Sequence, residues 1–235
     1  MDQYYRIGDL TVHMNPSGRT RIQAEPYHCE PVEQPDITIM CKGEYLKEKY
    51  PYMDEDLCEY TYTGSTFYMH LLVHDGLMVH SSAVVMDGRA YLFSAPSGTG
   101  KSTHTQLWLR QFGDRAAILN DDKPALRRIN GQWYAYGTPW SGKTDLNLPM
   151  GVPLAGICLI GRGEENTIER ITGTKALPLL MNETIRPKRK DLAARLLGHL
   201  DKLLSEVPVW KMKCNMDPQA ALVSYEAMSG ERKDV

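Results

Sequence analysis

The chain has 235 residues, of which 42% are hydrophobic and 24% are charged. A chain of this length and composition folds around one large hydrophobic core, or one core and a small subdomain, which excludes a disordered or collagen-like protein. The 27 basic and 29 acidic side chains leave a net charge of −2, so the chain has no general attraction for DNA or RNA. We therefore expect no nucleic-acid partner.

The apolar stretches of the chain are short. Charged residues or glycines interrupt them within about ten residues, whereas a membrane-spanning helix needs roughly 20. Residues 1–9 are polar and aromatic and include Asp2 and Asp9, unlike the basic and apolar start of a secretion signal. The five cysteines are scattered without a C-x-x-C pair, which indicates reduced structural thiols. The sequence predicts a cytoplasmic protein without a membrane anchor.

Residues 1–75 are predicted to form a small β-rich lobe. Three short apolar runs alternate with Pro, Gly and Asn, as is typical of short strands. These runs are 4–7, 10–14 and 37–40. The stretch 44–68 is rich in tyrosine, which indicates either a docking groove or strands that pack against the second unit. A short helix over 65–74, with Ser65 as its cap and Gly76 after its end, completes the predicted lobe.

Residues 76–235 are predicted to form a second unit around a mixed β-sheet. The dipeptides Asp87-Gly88 and Asn130-Gly131 favour tight hairpin turns, and each lies between two apolar runs. The predicted hairpins pair 82–86 with 89–94 and 125–129 with 133–136. Between them lie a predicted helix over 102–112 and a buried strand over 116–119. Two further strands are predicted over 153–160 and 167–171. The sequence therefore predicts an α+β or α/β fold.

The last third of the chain is predicted to be mainly helical. Thr174 caps a first helix that has Pro178 in its first turn. A longer helix over 190–207 carries leucines at helical spacing, which indicates a face turned to the core. These are Leu192, Leu196, Leu197, Leu200, Leu203 and Leu204. A strand over 210–214 and a helix over 218–230 follow.

The residues that indicate chemistry are concentrated at 95–102, which reads Ala-Pro-Ser-Gly-Thr-Gly-Lys-Ser. A phosphate-binding loop needs small residues that let backbone N–H groups converge on phosphate oxygens, and a helix start that faces the charge. It also needs a lysine for the β- and γ-phosphates and a hydroxyl for Mg²⁺. These roles fall on Gly98, Gly100, Lys101 and Ser102. Ala95 replaces the first glycine of the pattern, which the loop tolerates where φ is negative. The alternative is a glycine-rich turn capped by Ser102.

A second segment, 137–144, matches G-x-x-x-x-G-K-[ST] without exception but lacks the required context. A working loop enters a helix, whereas the residues after Lys143 include two prolines and show no helical face. Pro139 has no N–H group, and Trp140 is bulky where phosphate oxygens approach the backbone. We therefore predict that 95–102 binds phosphate and that the second segment does not.

An acidic pair, Asp121 and Asp122, follows the predicted strand at 116–119. Carboxylates at the end of a strand beside a phosphate loop can bind Mg²⁺ or its waters, and one can accept a proton from an attacking hydroxyl. Two neighbouring like charges also raise one pKa toward a value useful for a base. An isolated pair of this kind is commonly a polar turn, but after a phosphate loop it indicates a base and a metal ligand.

Together these segments resemble a known family. The relevant residues are His80-Ser-Ser-Ala-Val-Val, the hairpin that follows, Ser97-Gly-Thr-Gly-Lys-Ser-Thr103 and Asn120-Asp-Asp122. In order and spacing they resemble the catalytic domain of HPr kinase/phosphorylase and, more distantly, the nucleotide core of ATP-dependent phosphoenolpyruvate carboxykinase. The resemblance covers residues 78–160 and implies a phosphate loop (P-loop) set in a mixed β-sheet.

The resemblance also implies roles for individual residues. It places nucleotide binding on Ser97, Gly98, Thr99, Gly100, Lys101, Ser102 and Thr103. Lys101 corresponds to the family's loop lysine, Ser102 to its magnesium-binding hydroxyl, and Asp121 with Asp122 to its acidic pair. Within this pair we predict Asp121 as the general base and Asp122 as the Mg²⁺ ligand, and Lys101 as a catalytic residue. His80, at the start of a strand, corresponds to a histidine that contacts the γ-phosphate or the base, and a purely structural role for it stays open.

The resemblance does not extend to the arginine-containing signature for phosphorolysis, whose region is occupied by 137–143. Neither phosphorylase activity nor HPr as a substrate is therefore implied. Lys143, in this segment, is a candidate to steady the transferred phosphoryl group or an anionic substrate, and the alternative is a solvated loop lysine.

The sequence thus predicts an ATP- and Mg²⁺-dependent kinase. It would transfer the γ-phosphoryl group to a hydroxyl of a small molecule, or of a Ser or Thr in a peptide or protein. The alternative is a nucleotide-binding switch or accessory NTPase that regulates a protein partner. Acceptor-dependent ATP consumption distinguishes the two. The acceptor, the choice among ATP, GTP and pyrophosphate, the role of the N-terminal lobe and the formation of a homo-oligomer stay open.

Overall fold

Two β-sheets organise the described part of the chain, which comprises residues 2–41 and 44–230 of a computed structural model. The elements of the N-terminal lobe are β1 (Tyr4–Ile7), β2 (Leu10–Met14), α1 (Gly18–Ala24), β3 (His28–Cys29), β4 (Ile37–Ile39), α2 (Glu44–Lys49) and α3 (Glu55–Leu71). Its strands form one sheet in the order β3-β1-β2-β4. The predicted strands are confirmed, with β4 ending one residue earlier than expected.

The tyrosine-rich stretch of this lobe is helical, so the expectation of strands there is wrong. Helix α3 begins after Asp54, whose carboxylate accepts a hydrogen bond from the backbone N–H of Leu57 at 2.6 Å. Ser65 lies inside this helix, and its hydroxyl donates to the carbonyl of Tyr62 at 2.9 Å instead of capping a helix start. An aspartate before an acidic first turn is a strong helix start. That local preference extends the helix well upstream of the predicted one.

The second unit is built on a larger mixed sheet with helices on both faces. Its elements are β5 (Gly76–Met78), β6 (Ser81–Met86), β7 (Arg89–Ser94), α4 (Lys101–Phe112), β8 (Ala116–Asn120), β9 (Ala125–Ile129), β10 (Gln132–Tyr136), β11 (Gly151–Arg162), β12 (Thr167–Ile171), α5 (Gly173–Leu180), α6 (Lys190–Glu206), β13 (Val209–Cys214) and α7 (Gln219–Ser229). Seven strands follow the order β5-β9-β10-β11-β7-β6-β8, and β13 joins the second half of β11 with β12 beyond it. The predicted mixed sheet is confirmed.

Both predicted hairpins are present. Asp87 and Gly88 have φ values of 50° and 72°, and Asn130 and Gly131 have φ values of 49° and 85°. Two successive positive φ angles produce the type of turn whose twist matches that of antiparallel strands, and Asn, Asp and Gly adopt them most readily. The pairs β6–β7 and β9–β10 therefore follow from local turn chemistry.

Four strands of the large sheet end at the same edge. Strands β7 and β13 run parallel to β11, and β8 runs parallel to β7 because both pair antiparallel with β6. Across this edge the carboxyl ends stand in the order β13, β11, β7 and β8, with β6 between the last two. In open α/β sheets, ligands bind outside such carboxyl ends. The loops after β7 and β8 are those that carry the predicted site.

The C-terminal part departs from the prediction at two positions. Helix α5 begins at Gly173 after Thr172, so Pro178 lies in the helix interior and Thr174 is not the cap. In α6 the residues Leu196, Leu200 and Leu203 are buried as expected, but Leu197 is 52% exposed. Leu196 and Leu197 are consecutive, and consecutive residues point about 100° apart around a helix, so only one of the two can face the core.

Trp140 joins the N-terminal lobe to the large sheet. It is 1% exposed and stacks on Phe67 of α3 with ring centroids 5.0 Å apart. A Cβ atom added to Gly64 of α3 would lie 2.8 Å from the Trp140 ring. Glycine at this helix position is therefore required by the close approach of Trp140.

We expect Gly64→Ala to destabilise the protein although alanine is the better helix former. The clash with a fully buried ring costs about 1–3 kcal/mol, which exceeds the gain of about 1 kcal/mol in helix propensity. Gly198 of α6 is the matched control, because an added Cβ there meets no atom within 4 Å. Gly198→Ala should raise the free energy of unfolding measured with urea. If Gly64→Ala stabilised the protein as Gly198→Ala is expected to, the clash between residue 64 and Trp140 would be contradicted.

No helix within residues 2–41 and 44–230 combines the length and the apolar character that are needed to cross a bilayer. The five cysteines all lie in this part of the chain and are free thiols, as the sequence predicts. Cytoplasmic localisation stays a prediction.

Candidate active site

The predicted phosphate loop connects the end of β7 to the start of α4. Gly98 and Gly100 have φ values of 78° and 126°, a region that residues with a Cβ rarely adopt. Ala95 is buried and is not among the described residues with positive φ, so its methyl group is compatible with the loop. The N–H of His104 donates to the carbonyl of Gly100 at 2.9 Å, which places Gly100 at the N-cap of α4.

Residues 101–103 form the first turn of this helix. The first N–H groups of any α-helix lack intrahelical partners, and the helix dipole adds partial positive charge at the same end. Lys101 directs its Nζ back to the carbonyl of Ala95, which accepts at 2.7 Å. Burial lowers the pKa of Lys101 below its ordinary value, although nearby carboxylates act in the opposite direction. Backbone amides and one buried cation therefore meet at this loop, as binding of an anion requires.

Arg162, which the sequence reading did not select, contacts the same loop. It lies at the end of β11, beside β7, and its Nη2 donates to the carbonyl of Gly98 at 2.8 Å. This hydrogen bond links the end of β11 to the Gly98 carbonyl and so stabilises the conformation of the loop. No local motif marks Arg162, because its place depends on the parallel pairing of two strands far apart in sequence.

The second motif match, 137–144, has the structure that its flanking residues predict. No helix follows Lys143. A Cβ atom added to Gly137 would lie 1.9 Å from the carbonyl oxygen of Leu148, so the glycine is required for close packing of two chain segments. The segment still contributes to the site, because the hydroxyl of Thr144 donates to Asp121 at 2.8 Å.

Asp121 is buried at the end of β8 and accepts two hydroxyl hydrogen bonds. Ser82 of β6 donates to its Oδ1 at 2.5 Å, and Thr144 donates to its Oδ2. The hydroxyl of Ser82 also lies 2.9 Å from that of Thr105 in α4. These bonds connect the Asp121 carboxylate to α4, the helix that begins at the predicted phosphate loop. Asp121 is thus held in one orientation, and its side chain still lines the open cleft.

A basic side chain contacts each oxygen of Asp122. Its Oδ1 lies 3.0 Å from Nε2 of His80, and its Oδ2 pairs with Nζ of Lys123. Burial disfavours the charged carboxylate, but the hydrogen bond from His80 and the positive charge of Lys123 outweigh it and lower the pKa of Asp122 to about 2. The side chain is therefore a carboxylate at neutral pH, the form that binds a hard cation.

His80 connects Asp122 to Glu183, a residue that the sequence reading missed. Nδ1 of His80 lies 2.8 Å from Oε2 of Glu183, and the backbone N–H of His80 donates to the carbonyl of Glu183 at 2.6 Å. His80 therefore contacts Asp122, the second carboxylate of the acidic pair. Glu183 follows α5 and is 103 positions away from His80, with no motif around it.

The predicted phosphate loop, His80 and the acidic pair line one cleft of about 560 Å³ at the edge where β7 and β8 end. Its lining includes most of the predicted site residues, namely His80, Ser97, Gly98, Gly100, Lys101, Ser102, Thr103, Asp121, Asp122 and Lys143. Lys143 is exposed on the wall of this cleft. Thr99 is the exception, because it lines a separate cavity on the other flank of the loop.

The N-terminal lobe supplies one wall of the cleft. Arg19 of α1 reaches the loop after β10, where it pairs with Asp145 at 2.5 Å and donates to the carbonyl of Gly142. Its guanidinium also lies 4.3 Å from the ring centroid of Tyr60 in α3. The two units of the chain therefore form the cleft together, and the sequence reading placed no N-terminal residue there.

The donor chemistry of the cleft fits Mg²⁺ bound together with phosphates. Among the described residues, no group of three or more His, Cys, Asp and Glu side chains is placed to hold a metal ion. Magnesium usually takes only one or two protein carboxylates, and phosphate and water oxygens complete its shell. Asp122 and the hydroxyl of Ser102, which line the same cleft, are suitable oxygen ligands for a magnesium–nucleotide complex.

The ion pairs of Asp122 lead to a test of acid stability. Because the folded pKa lies below the ordinary value of 3.8, this group stabilises the folded state above about pH 4 and loses that contribution as the pH falls toward 2. The free energy of unfolding of the wild type should exceed that of Asp122→Asn, and the difference should shrink by roughly 1–2 kcal/mol between about pH 4 and 2. Urea titrations measure it, and a constant difference would contradict the ion pairs.

No protein-family model and no curated protein matches this chain. Among solved structures, the chain is similar to the Hpr(Ser) kinase/phosphatase from Coxiella burnetii. The TM-score is 0.39 and the sequence identity 10%, with 65% of this chain and 95% of that chain covered. The likeness is distant, and it assigns neither a family nor an activity to this chain.

Proposed function

We propose that the protein is an ATP- and Mg²⁺-dependent kinase that transfers the γ-phosphoryl group to a hydroxyl. One observation carries this proposal, namely the meeting of two features in one cleft of about 560 Å³. The first is a glycine-containing loop at a helix start with a buried lysine, and the second is the pair Asp121 and Asp122. Phosphoryl transfer needs little beyond positioning, neutralisation of charge and a base, and these groups supply all three.

Each residue has a specific role in this proposal. The amides of residues 97–103 and Lys101 bind the phosphates, and Ser102 with Asp122 binds Mg²⁺. The low pKa of Asp122 favours the metal role, because a metal ligand must be deprotonated and a weakly basic carboxylate is a poor proton acceptor. Asp121 is then the general base that accepts the proton of the attacking hydroxyl.

His80 and Lys143 act around this centre. His80 orients the Asp122 carboxylate through its Nε2 and is itself held by Glu183. Lys143 lies on the wall of the same cleft and provides a cation for the transferred phosphoryl group or for an anionic acceptor. The acceptor is a small molecule or a Ser or Thr of a peptide or protein.

Acceptor-dependent turnover tests the proposal. Purified protein is incubated with labelled ATP, Mg²⁺ and a cell extract, and the phosphorylated products are identified by mass spectrometry. If the protein is a kinase, it transfers label to a defined product, and it consumes ATP faster when the acceptor of that label is present. The Lys101→Met variant should show neither effect. Slow ATP hydrolysis that no acceptor accelerates, together with nucleotide-dependent binding of a protein, would instead support a nucleotide-binding switch.

A further inference from the structure

A second cavity of about 500 Å³ lies on the flank of the phosphate loop that faces away from the acidic pair. Gly98, Gly100 and Thr103 line both this cavity and the cleft that contains Asp121. The loop and the start of α4 thus separate two spaces and are open to each. Thr99 faces only the second cavity of the two.

The order of the strand ends indicates the direction in which a bound nucleotide extends from the loop. The acidic pair follows β8, the loop follows β7, and β11 and β13 end on the opposite side of β7. A phosphoryl group that is to be transferred must lie beside the acidic pair. The rest of a triphosphate that crosses the loop therefore continues toward the ends of β11 and β13, where the second cavity lies.

The walls of this cavity suit a nucleoside. Leu107 of α4 and Ile160 of β11 supply buried apolar side chains, and Met216, after β13, is 77% exposed at its margin. A methionine thioether makes favourable contacts with aromatic rings. Arg162 places a cation beside the loop.

We propose that the second cavity receives the nucleoside of the nucleotide whose phosphates bind at residues 95–102. This inference rests on the proposed function and deepens it, because it assigns the base and the ribose to residues of α4, β11 and the segment after β13. The acceptor then binds in the first cleft, against the wall that the N-terminal lobe forms. A volume of about 500 Å³ falls within the usual range for small-ligand sites.

Methionine oxidation tests this assignment on the unmodified protein. Met216 lies at the cavity margin, and Met40, 61% exposed on the N-terminal lobe, is an internal control. Saturating Mg·ATP should slow peroxide oxidation of Met216 by about fivefold or more, because a bound nucleoside would bury its side chain, and should leave Met40 unchanged. Mg·tripolyphosphate, which has the phosphates without the nucleoside, should protect neither methionine.

Binding measurements complete the test. Calorimetry should show that Met216→Ala weakens ATP binding by roughly fivefold, the loss expected for about 1 kcal/mol of apolar contact, and leaves tripolyphosphate binding within about twofold. Met40→Ala should change neither affinity. ATP binding with Met216 unprotected, or equal protection by tripolyphosphate, overturns this inference but not the proposed function. Failure of the wild-type protein to bind ATP overturns both.

Discussion

Lys101→Met should weaken ATP binding by about 100-fold or more, because hydrogen bonds from a charged donor to the phosphates are lost, at a cost of roughly 3 kcal/mol. Lys101 is 7% exposed and has a long apolar stem, so methionine fills the same space and removes the cost of burying an ammonium group. Loss of binding would then reflect the missing cation and not an unfolded protein. Calorimetry with Mg²⁺ and a non-hydrolysable ATP analogue measures the effect.

Lys143→Met is the matched control for this substitution. Lys143 occupies the same position in the competing motif match, but it is exposed and no helix follows it. Its replacement should change nucleotide affinity by about twofold at most, as expected for a solvent-screened charge. The opposite result, with binding lost in Lys143→Met and kept in Lys101→Met, would show that the wrong segment was assigned to phosphate binding.

Asp121→Asn should keep ATP binding within a few-fold and reduce phosphoryl transfer by roughly 10²–10⁴-fold, the usual contribution of a general base. The asparagine has the same shape, and the hydroxyls of Ser82 and Thr144 can reorient to meet the new amide group. The fold and the phosphate loop should therefore persist. Single-turnover rates with the identified acceptor, set beside calorimetric affinities, separate chemistry from binding.

Asp122→Asn provides the contrast for the assignment of the two carboxylates. If Asp122 binds the cation, its substitution raises the Mg²⁺ concentration that half-maximal activity requires, whereas Asp121→Asn leaves that requirement unchanged. Normal transfer by Asp121→Asn would exclude it as the base. Equal effects of both substitutions on the Mg²⁺ requirement would contradict the division of roles.

The parts of the fold that were predicted correctly depend on interactions over a few residues. Asp87-Gly88 and Asn130-Gly131 produced the expected hairpins because their φ angles are positive, and the helix after Lys101 began within one residue of its expected start. Errors arose where two local preferences compete. The start of α3 at Asp54 overrode the expected strands in the tyrosine-rich stretch.

The candidate site was predictable only where its residues lie in a motif. The 95–102 loop, the acidic pair and Lys143 were selected from motifs, and His80 from the family resemblance. The structure brings these predicted site residues to one cleft, apart from Thr99. Glu183, Arg162 and Arg19 were missed, although each contacts a selected residue or the segment that carries one. None of these three residues belongs to a recognisable sequence motif.

Residue types alone were sufficient to predict the hairpin turns and to locate the glycine-containing loop and the acidic pair, because glycine torsions and turn propensities act within a few neighbouring residues. Three contacts could be seen only in the folded chain: β11 pairs with β7, Glu183 contacts His80, and Thr144 of the rejected motif donates a hydrogen bond to Asp121. These contacts join segments that are distant in the chain. The strand order of the large sheet and the packing of the segments after β10 and α5 bring them together, and no local pattern of residue types specifies either.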